Sequence, residues 1–142
     1  MKSVLLIVAA VLCISTMLDA QYAPVIPVVD AHGPTIVAFF PNLSQTGSDE
    51  ADSNEALSDF EFYADRVKDP LNRLGIEFTE QFGRSFRVRL ENQTRLFTPK
   101  AGTCGYYFIA RGKEPHVEYG VMTDTDLLLA AKQYFGVTDT VK

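Results

Sequence analysis

The sequence predicts an α/β domain in which a central mixed sheet lies between two outer layers. A continuous apolar run, TIVAFF at 35–40, is typical of a strand covered on both faces, because a strand with one wet face alternates apolar and polar residues. Apolar residues recur at helical spacing over 57–71, and the chain closes with the pattern of a β-hairpin and a helix over 106–136. Together these features indicate a three-layer sandwich with helices on each side of the sheet.

The first 20 residues have the pattern of a secretory signal peptide. Lys2 supplies a positive charge, and the apolar run at 4–14 is too short to span a bilayer core of about 30 Å. Ala20 is a small residue at a plausible cleavage point. Cleavage there is the leading interpretation and predicts a secreted or periplasmic protein. One alternative is an uncleaved N-terminal anchor. The other is lipid attachment at Cys13, which the bulky residue before that cysteine disfavours.

An extended, proline-rich segment separates this leader from the domain predicted over 35–142. Residues 21–34 read QYAPVIPVVDAHGP and hold three prolines and a glycine. Proline fixes φ and removes a backbone donor, so the segment is not a helix. The stretch VIPVV at 25–29 fits an edge strand, where proline is tolerated.

A long helix is expected after the apolar strand. Ser48 or Ser53 can cap it, and the acidic residues around them suit the positive end of the helix dipole. Pro70 is expected to stop or kink the helix, with Gly75 beyond it. The predicted apolar face consists of Leu57, Phe60, Ala64, Val67 and Leu71.

The middle of the chain alternates short strand-like pieces with turns. A strand is predicted around 76–78, and SFRVRL at 85–90 fits a half-buried strand or an amphipathic connector. ENQT at 91–94 offers a turn, and a short apolar piece follows it.

The sequence of the last part of the chain predicts a β-hairpin with arms at 106–110 and 117–122. Thr123 or Asp124 then caps a final helix, and Gly136 closes it.

This order of elements resembles the thioredoxin-like fold superfamily. GYYFIARGKEPHVEYGVMTDTDLLLAAKQYF at 105–135 is similar to the family's strand, glycine turn, strand and closing helix, and TIVAFFP at 35–41 is similar to the central strand that feeds its redox loop. The resemblance covers roughly 35–136. It implies that the loop after the central strand and the segment before the hairpin meet at one end of the sheet, where relatives bind extended substrates.

The chain departs from this family at the redox motif. The Cys-x-x-Cys pair would fall near 44–47, where no cysteine occurs, and the family's cis-proline position lies near Thr103 and Cys104. Dithiol exchange needs both an attacking thiolate and a resolving thiol. Since Cys104 is the one cysteine beyond the predicted leader, we expect dithiol redox activity to be absent.

Amides and hydroxyls take the place of sulfur in the predicted site. Cys104 is the one candidate for catalysis. It is either a small packed residue at the start of a strand or a thiol that faces the pocket used by redox relatives. The resemblance implies a binding surface made of Asn42, Ser44, Gln45, Thr46, Thr103 and Cys104.

Composition and motifs exclude several other classes of function. A net charge of −5 disfavours nucleic acids and anionic membrane surfaces as partners. No phosphate-binding loop, nucleophile–base–acid set or metal-ligand spacing occurs, so we expect no cofactor and no metal. His32 and His116 are interpreted as loop residues. Four arginines at 84, 87, 89 and 95 fit a charged sheet edge or, alternatively, an anion site.

The sequence thus predicts an exported thioredoxin-like protein without dithiol activity. A binding or accessory role towards another protein or peptide is favoured over an enzymatic one. The alternative is a thiol-dependent protein that acts through Cys104 alone, by a mixed disulfide. A small α+β domain of another topology is a third interpretation.

Overall fold

The computed structural model describes residues 25–41, 50–83 and 85–138, with the side chains of the long helix described from residue 54 onward. The predicted signal peptide at 1–20 lies outside these residues. The described chain forms the following strands and helices: β1 Val28–Ala31, β2 Thr35–Phe40, α1 Glu50–Arg73, β3 Glu77–Phe82, β4 Phe86–Leu90, β5 Gln93–Phe97, β6 Gly105–Ile109, β7 His116–Tyr119 and α2 Asp124–Phe135.

The strands form two separate sheets. A four-stranded sheet has the order β3-β2-β6-β7, in which β3 is parallel to β2 and the other two pairs are antiparallel. A three-stranded sheet has the order β1-β4-β5, in which β1 is parallel to β4 and β5 is antiparallel to it. The parallel pair β2–β3 is connected through α1, as such a pair requires a crossover. The predicted mixed α/β class is therefore confirmed.

The central strand β2 is covered on both faces, as predicted, because all six of its residues are buried. Ile36, Ala38 and Phe40 pack in a cluster with residues of both helices. Val37 and Phe39 pack in a second cluster with residues of β1, β4 and β5. The expectation of helices on each side of the sheet is therefore wrong, since one outer layer is the second sheet. A continuous apolar run indicates burial on both faces but does not specify what covers them.

The helix-side core, the first of these clusters, centres on Phe60 of α1. Its ring centroid lies 5.2 Å from that of Phe40 and 5.7 Å from that of Tyr106. Each aromatic or aliphatic side chain buried to this degree stabilises the fold by about 1.5–3 kcal/mol. Of the predicted apolar face of α1, four residues are fully buried and Leu57 is partly buried.

The long helix continues through Pro70 and ends three residues later at Arg73, so of the two predicted effects of this proline, a stop at Pro70 itself does not occur. Proline removes one backbone donor, and the buried Leu71 keeps the last turn packed on the core. Gly75, with φ of 73°, then redirects the chain into β3.

The sheet-side core, the second cluster, confirms the strand interpretation of SFRVRL. Phe86 and Val88 are buried, whereas Arg87 and Arg89 are exposed on the outer face of β4. The rings of Phe86 and Phe97 stack with centroids 5.5 Å apart.

The C-terminal hairpin and helix are present as predicted, although β7 ends at Tyr119, before the expected end of that arm. The strand stops there because Gly120 has a φ of 99°, outside the extended region. Thr123 is the N-cap of α2, and its Oγ1 accepts a hydrogen bond from the amide of Asp126 at 3.2 Å. Gly136, with φ of 68°, ends the helix.

Candidate functional site

The candidate site lies at the end of the four-stranded sheet where β2 finishes. Phe39 pairs with Gly105 in the register of β2 and β6, which places Cys104 beside the end of β2. β7 returns to the same end, where the amide of Gly120 donates a hydrogen bond to the carbonyl oxygen of Cys104 at 2.9 Å. The closing hairpin therefore packs against β2, as the predicted site requires.

The structure describes two of the six predicted binding residues, Thr103 and Cys104. The hydroxyl of Thr103 donates to the carbonyl oxygen of Lys100 at 2.6 Å, so it closes its own turn. The remaining four lie outside the described residues and stay a prediction: Asn42, Ser44, Gln45 and Thr46.

Cys104 is partly buried and packs against the helix-side core. Burial raises the pKa of its thiol, although hydrogen bonds from the backbone of Cys104 itself and of Gly120 offset part of this rise. The thiolate is the reactive form of cysteine. The surroundings of Cys104 therefore favour a packed residue over an activated nucleophile.

Gly105 allows β6 and β7 to approach closely at this end of the sheet. A Cβ atom there would lie 2.1 Å from the carbonyl oxygen of Glu118 and 3.0 Å from Cα of Tyr119. With no side chain between them, the rings of Phe39 and Tyr119 meet edge to face at 5.9 Å. This requirement was not predicted from the sequence, although a glycine at the start of an apolar strand is a signal of close backbone approach.

Exposed apolar side chains are found at the same end of the sheet. Phe82, at the end of β3, is 54% exposed, Tyr119 at the end of β7 is 50% exposed, and Val121 just beyond it is 37% exposed. Neighbouring strands lie about 4.8 Å apart, so β3 and β7 are separated by roughly 14 Å across this end. We call the five residues Phe82, Thr103, Cys104, Tyr119 and Val121 the strand-end surface.

The histidines pair with nearby carboxylates. Nδ1 of His32 lies 3.4 Å from Oε1 of Glu77, and Nε2 of His116 lies 2.6 Å from Oε1 of Glu118. In the described part of the chain, no group of three or more His, Cys, Asp or Glu side chains is arranged to hold a metal ion. Among the helices of residues 50–73 and 124–135, neither is long and apolar enough to cross a membrane.

The arginines do not form one surface. Arg87 and Arg89 share the outer face of the three-stranded sheet, where Arg89 pairs with Asp30 at 3.0 Å. Arg95 has the same orientation as Phe97 on β5 and so points towards the space between the sheets. Arg84 lies outside the described residues.

No protein-family model matches this chain, and no match was found among curated proteins or solved structures. The function is therefore inferred from the residues of the chain and their geometry.

Proposed function

We propose that this is an exported, thioredoxin-like binding protein without dithiol redox activity, and that its strand-end surface receives an extended segment of a partner protein or peptide. The strand order β3-β2-β6-β7, with one parallel and two antiparallel pairs, supports the thioredoxin-like part of the proposal. Packing of both helices on one face of this sheet supports it as well. The second sheet is a departure, because it covers the other face, where the family pattern has a helix.

The surroundings of Cys104 are the observation that carries the proposal. By the resemblance, Cys104 takes the position that faces the redox pair in dithiol relatives, yet it packs against the core and the pKa of its thiol is raised. The more accessible side chains at this end are apolar, namely Phe82, Tyr119 and Val121. Phe82 lies on the same face of the sheet as Phe40, and Tyr119 lies on the other face with Phe39. An extended chain that crosses the strand ends would contact both apolar side chains.

The alternative is a function through a mixed disulfide at Cys104. The reactivity of the thiol distinguishes this alternative from the proposed binding function. A Cys13→Ser background leaves one thiol, and labelling by an aromatic disulfide reagent is followed in the native and the guanidinium-unfolded protein. We expect native labelling at neutral pH to be slower by at least about tenfold, because a buried thiol with a raised pKa forms little thiolate. Equal rates would support the mixed-disulfide function instead.

Site-specific photo-crosslinking tests the surface directly. A photoreactive phenylalanine analogue at Val121 or Tyr119 is expected to capture the same partner, with or without reductant and also in a Cys104→Ser background. The matched control is Leu129, an apolar residue on α2 that is 55% exposed, where the analogue should not capture that partner. Loss of capture by reductant or by Cys104→Ser would contradict the proposal.

Export predicts an N-terminus at Gln21 in protein isolated from its native compartment, which mass spectrometry can check.

A further inference from the structure

A cleft of about 460 Å³ opens between the two sheets, at the opposite end from the strand-end surface. Ile109, one of its lining residues, pairs with Thr35 at the start of β2, which fixes the position of the cleft. The β4–β5 turn forms one wall and the β6–β7 turn the other. This volume falls within the range of about 300–1,000 Å³ that is typical of small-molecule sites.

The lining combines an apolar floor with cationic side chains at the rim. Val88, Phe97 and Ile109 are buried residues of the sheet-side core that also line the cleft. Arg95 and Arg111 bring guanidinium groups to its edge. A ligand with an apolar body and one anionic group would match this distribution of side chains.

Arg95 occupies a position that a closed core would give to an apolar residue. It lies opposite Val88 in the β4–β5 register, on the same face of β5 as Phe97. Its guanidinium lies 5.9 Å from the centroid of the Phe97 ring, and 59% of its side chain is exposed. Its contact with Glu114 is long, at 3.4 Å, and leaves most of its hydrogen-bond donors available.

Arg111 bridges the mouth of the cleft. Its Nη1 lies 3.0 Å from Oε1 of Glu91, and the two side chains are 79% and 53% exposed. An ion pair this exposed is weak, so a ligand carboxylate can replace that of Glu91. Glu91 itself has a φ of 54°, a conformation that non-glycine residues rarely adopt, and it presents its carboxylate opposite Arg111.

The wall that carries Arg111 is held in place by α2. The hydroxyl of Tyr134 donates to the carbonyl oxygen of Glu114 at 2.8 Å, and Nζ of Lys113 donates to the carbonyl oxygen of Tyr134. These bonds tether the β6–β7 turn to the end of the helix. The cleft is therefore largely preformed, which lowers the entropic cost of binding.

We infer that this cleft binds a small amphiphilic carboxylate. The carboxylate pairs with the guanidinium groups of Arg95 and Arg111, and the aliphatic or aromatic body contacts the apolar floor. This site is independent of the strand-end surface, because the two lie at opposite ends of β2. In the alternative interpretation, the arginines only protect an edge strand from aggregation, and the cleft would then bind no ligand.

Calorimetry with octanoate and 2-naphthoate tests the inference. We expect one saturable site for each acid, no binding of acetate, which lacks an apolar body, and about tenfold weaker binding of octanol, which lacks the charge. Arg95→Gln and Arg111→Gln should each weaken octanoate binding by about tenfold, whereas Glu91→Gln should tighten it by removing the competing carboxylate. These opposite signs distinguish a site at the mouth from general adsorption.

Two further variants serve as controls. Arg87→Gln removes an arginine from the outer face, where Val28 and Leu96 are exposed on either side of it, and it should leave octanoate binding unchanged. Gln93→Trp places a bulky ring in the cleft from an exposed strand position and should abolish binding, with retained cooperative unfolding as the check on folding. Failure of both acids to bind, or equal weakening by Arg87→Gln, would overturn the inference.

Discussion

Replacement of Gly105 by alanine is expected to destabilise the protein strongly, because β6 and β7 come closest at this residue. The new Cβ would lie 2.1 Å from the carbonyl oxygen of Glu118, whereas ordinary contacts begin at 3.4 Å. The obstructing atom belongs to the backbone of the paired strand, so no side-chain rotation can relieve the clash. The two strands would have to separate by about an ångström at the strand-end surface.

The size of the effect follows from two contributions. Overpacking a site of this kind costs about 1–3 kcal/mol, and weakening of the ring contact between Phe39 and Tyr119 adds about 0.5–1.5 kcal/mol. A total of about 1.5–4.5 kcal/mol corresponds to a fall in Tm of roughly 6–18 °C for a domain of this size.

The measurement is thermal and urea unfolding followed by circular dichroism, with Gly33→Ala as the matched control. A Cβ at Gly33 meets no atom within 4 Å, and the residue does not have a positive φ. That variant should be neutral or more stable by about 0.4–1 kcal/mol, because alanine restricts the unfolded chain. If Gly105→Ala unfolds within about 0.5 kcal/mol of the unmodified protein, the close approach of the two strands is refuted.

The other two predictions concern buried hydroxyl and thiol groups. Tyr106→Phe keeps a ring that is 1% exposed but removes the oxygen that accepts the amide of Met122 at 3.3 Å, so we expect a loss of about 1 kcal/mol in urea unfolding and faster hydrogen exchange at that amide. An unchanged exchange rate at the amide of Met122 would contradict this prediction. Burial raises the pKa of Cys104 and of Tyr106, so the folded protein holds these protons to higher pH than the unfolded chain. This contribution to stability is complete up to about pH 7.5, where an unfolded thiol with a pKa of about 8.5 begins to titrate, and is lost as the pH rises through the folded pKa values. The urea midpoint should therefore decrease above that pH. Cys104→Ala removes the thiol, so it should reduce the decrease at the lower end of this pH range, where the thiol titrates.

Most of the secondary structure could be predicted because it depends on local patterns. TIVAFF identified a doubly covered strand, and the apolar spacing in 57–71 identified α1. The nature of the second layer could not be predicted, because it depends on pairing between distant segments. Val28 pairs with Arg87, and no local pattern specifies that register.

The candidate site was predicted less completely. Sequence reasoning selected Cys104, and the structure places it beside the end of β2, but the burial that raises its pKa depends on the helix-side core. The half-buried strand predicted at 85–90 implies one shared face for Arg87 and Arg89, whereas nothing in the sequence places Arg95. The orientation of Arg95 depends on the length of the turn between β4 and β5, and a turn longer by one residue would point it outward.

The cleft itself follows from the residues that β5 presents to the opposing sheet. Phe97, Arg95 and Gln93 share its inner face, so this face is apolar at one end and polar at the other. Two sheets pack closely only where both inner faces are apolar, and here Phe97 meets the ring of Tyr107 at a centroid distance of 5.0 Å. Beyond Phe97, a charged guanidinium cannot be buried without a full set of partners, so the sheets separate and water or a ligand fills the space. The second sheet on this face of β2 is thus what forms the cleft, at the opposite end of β2 from the strand-end surface.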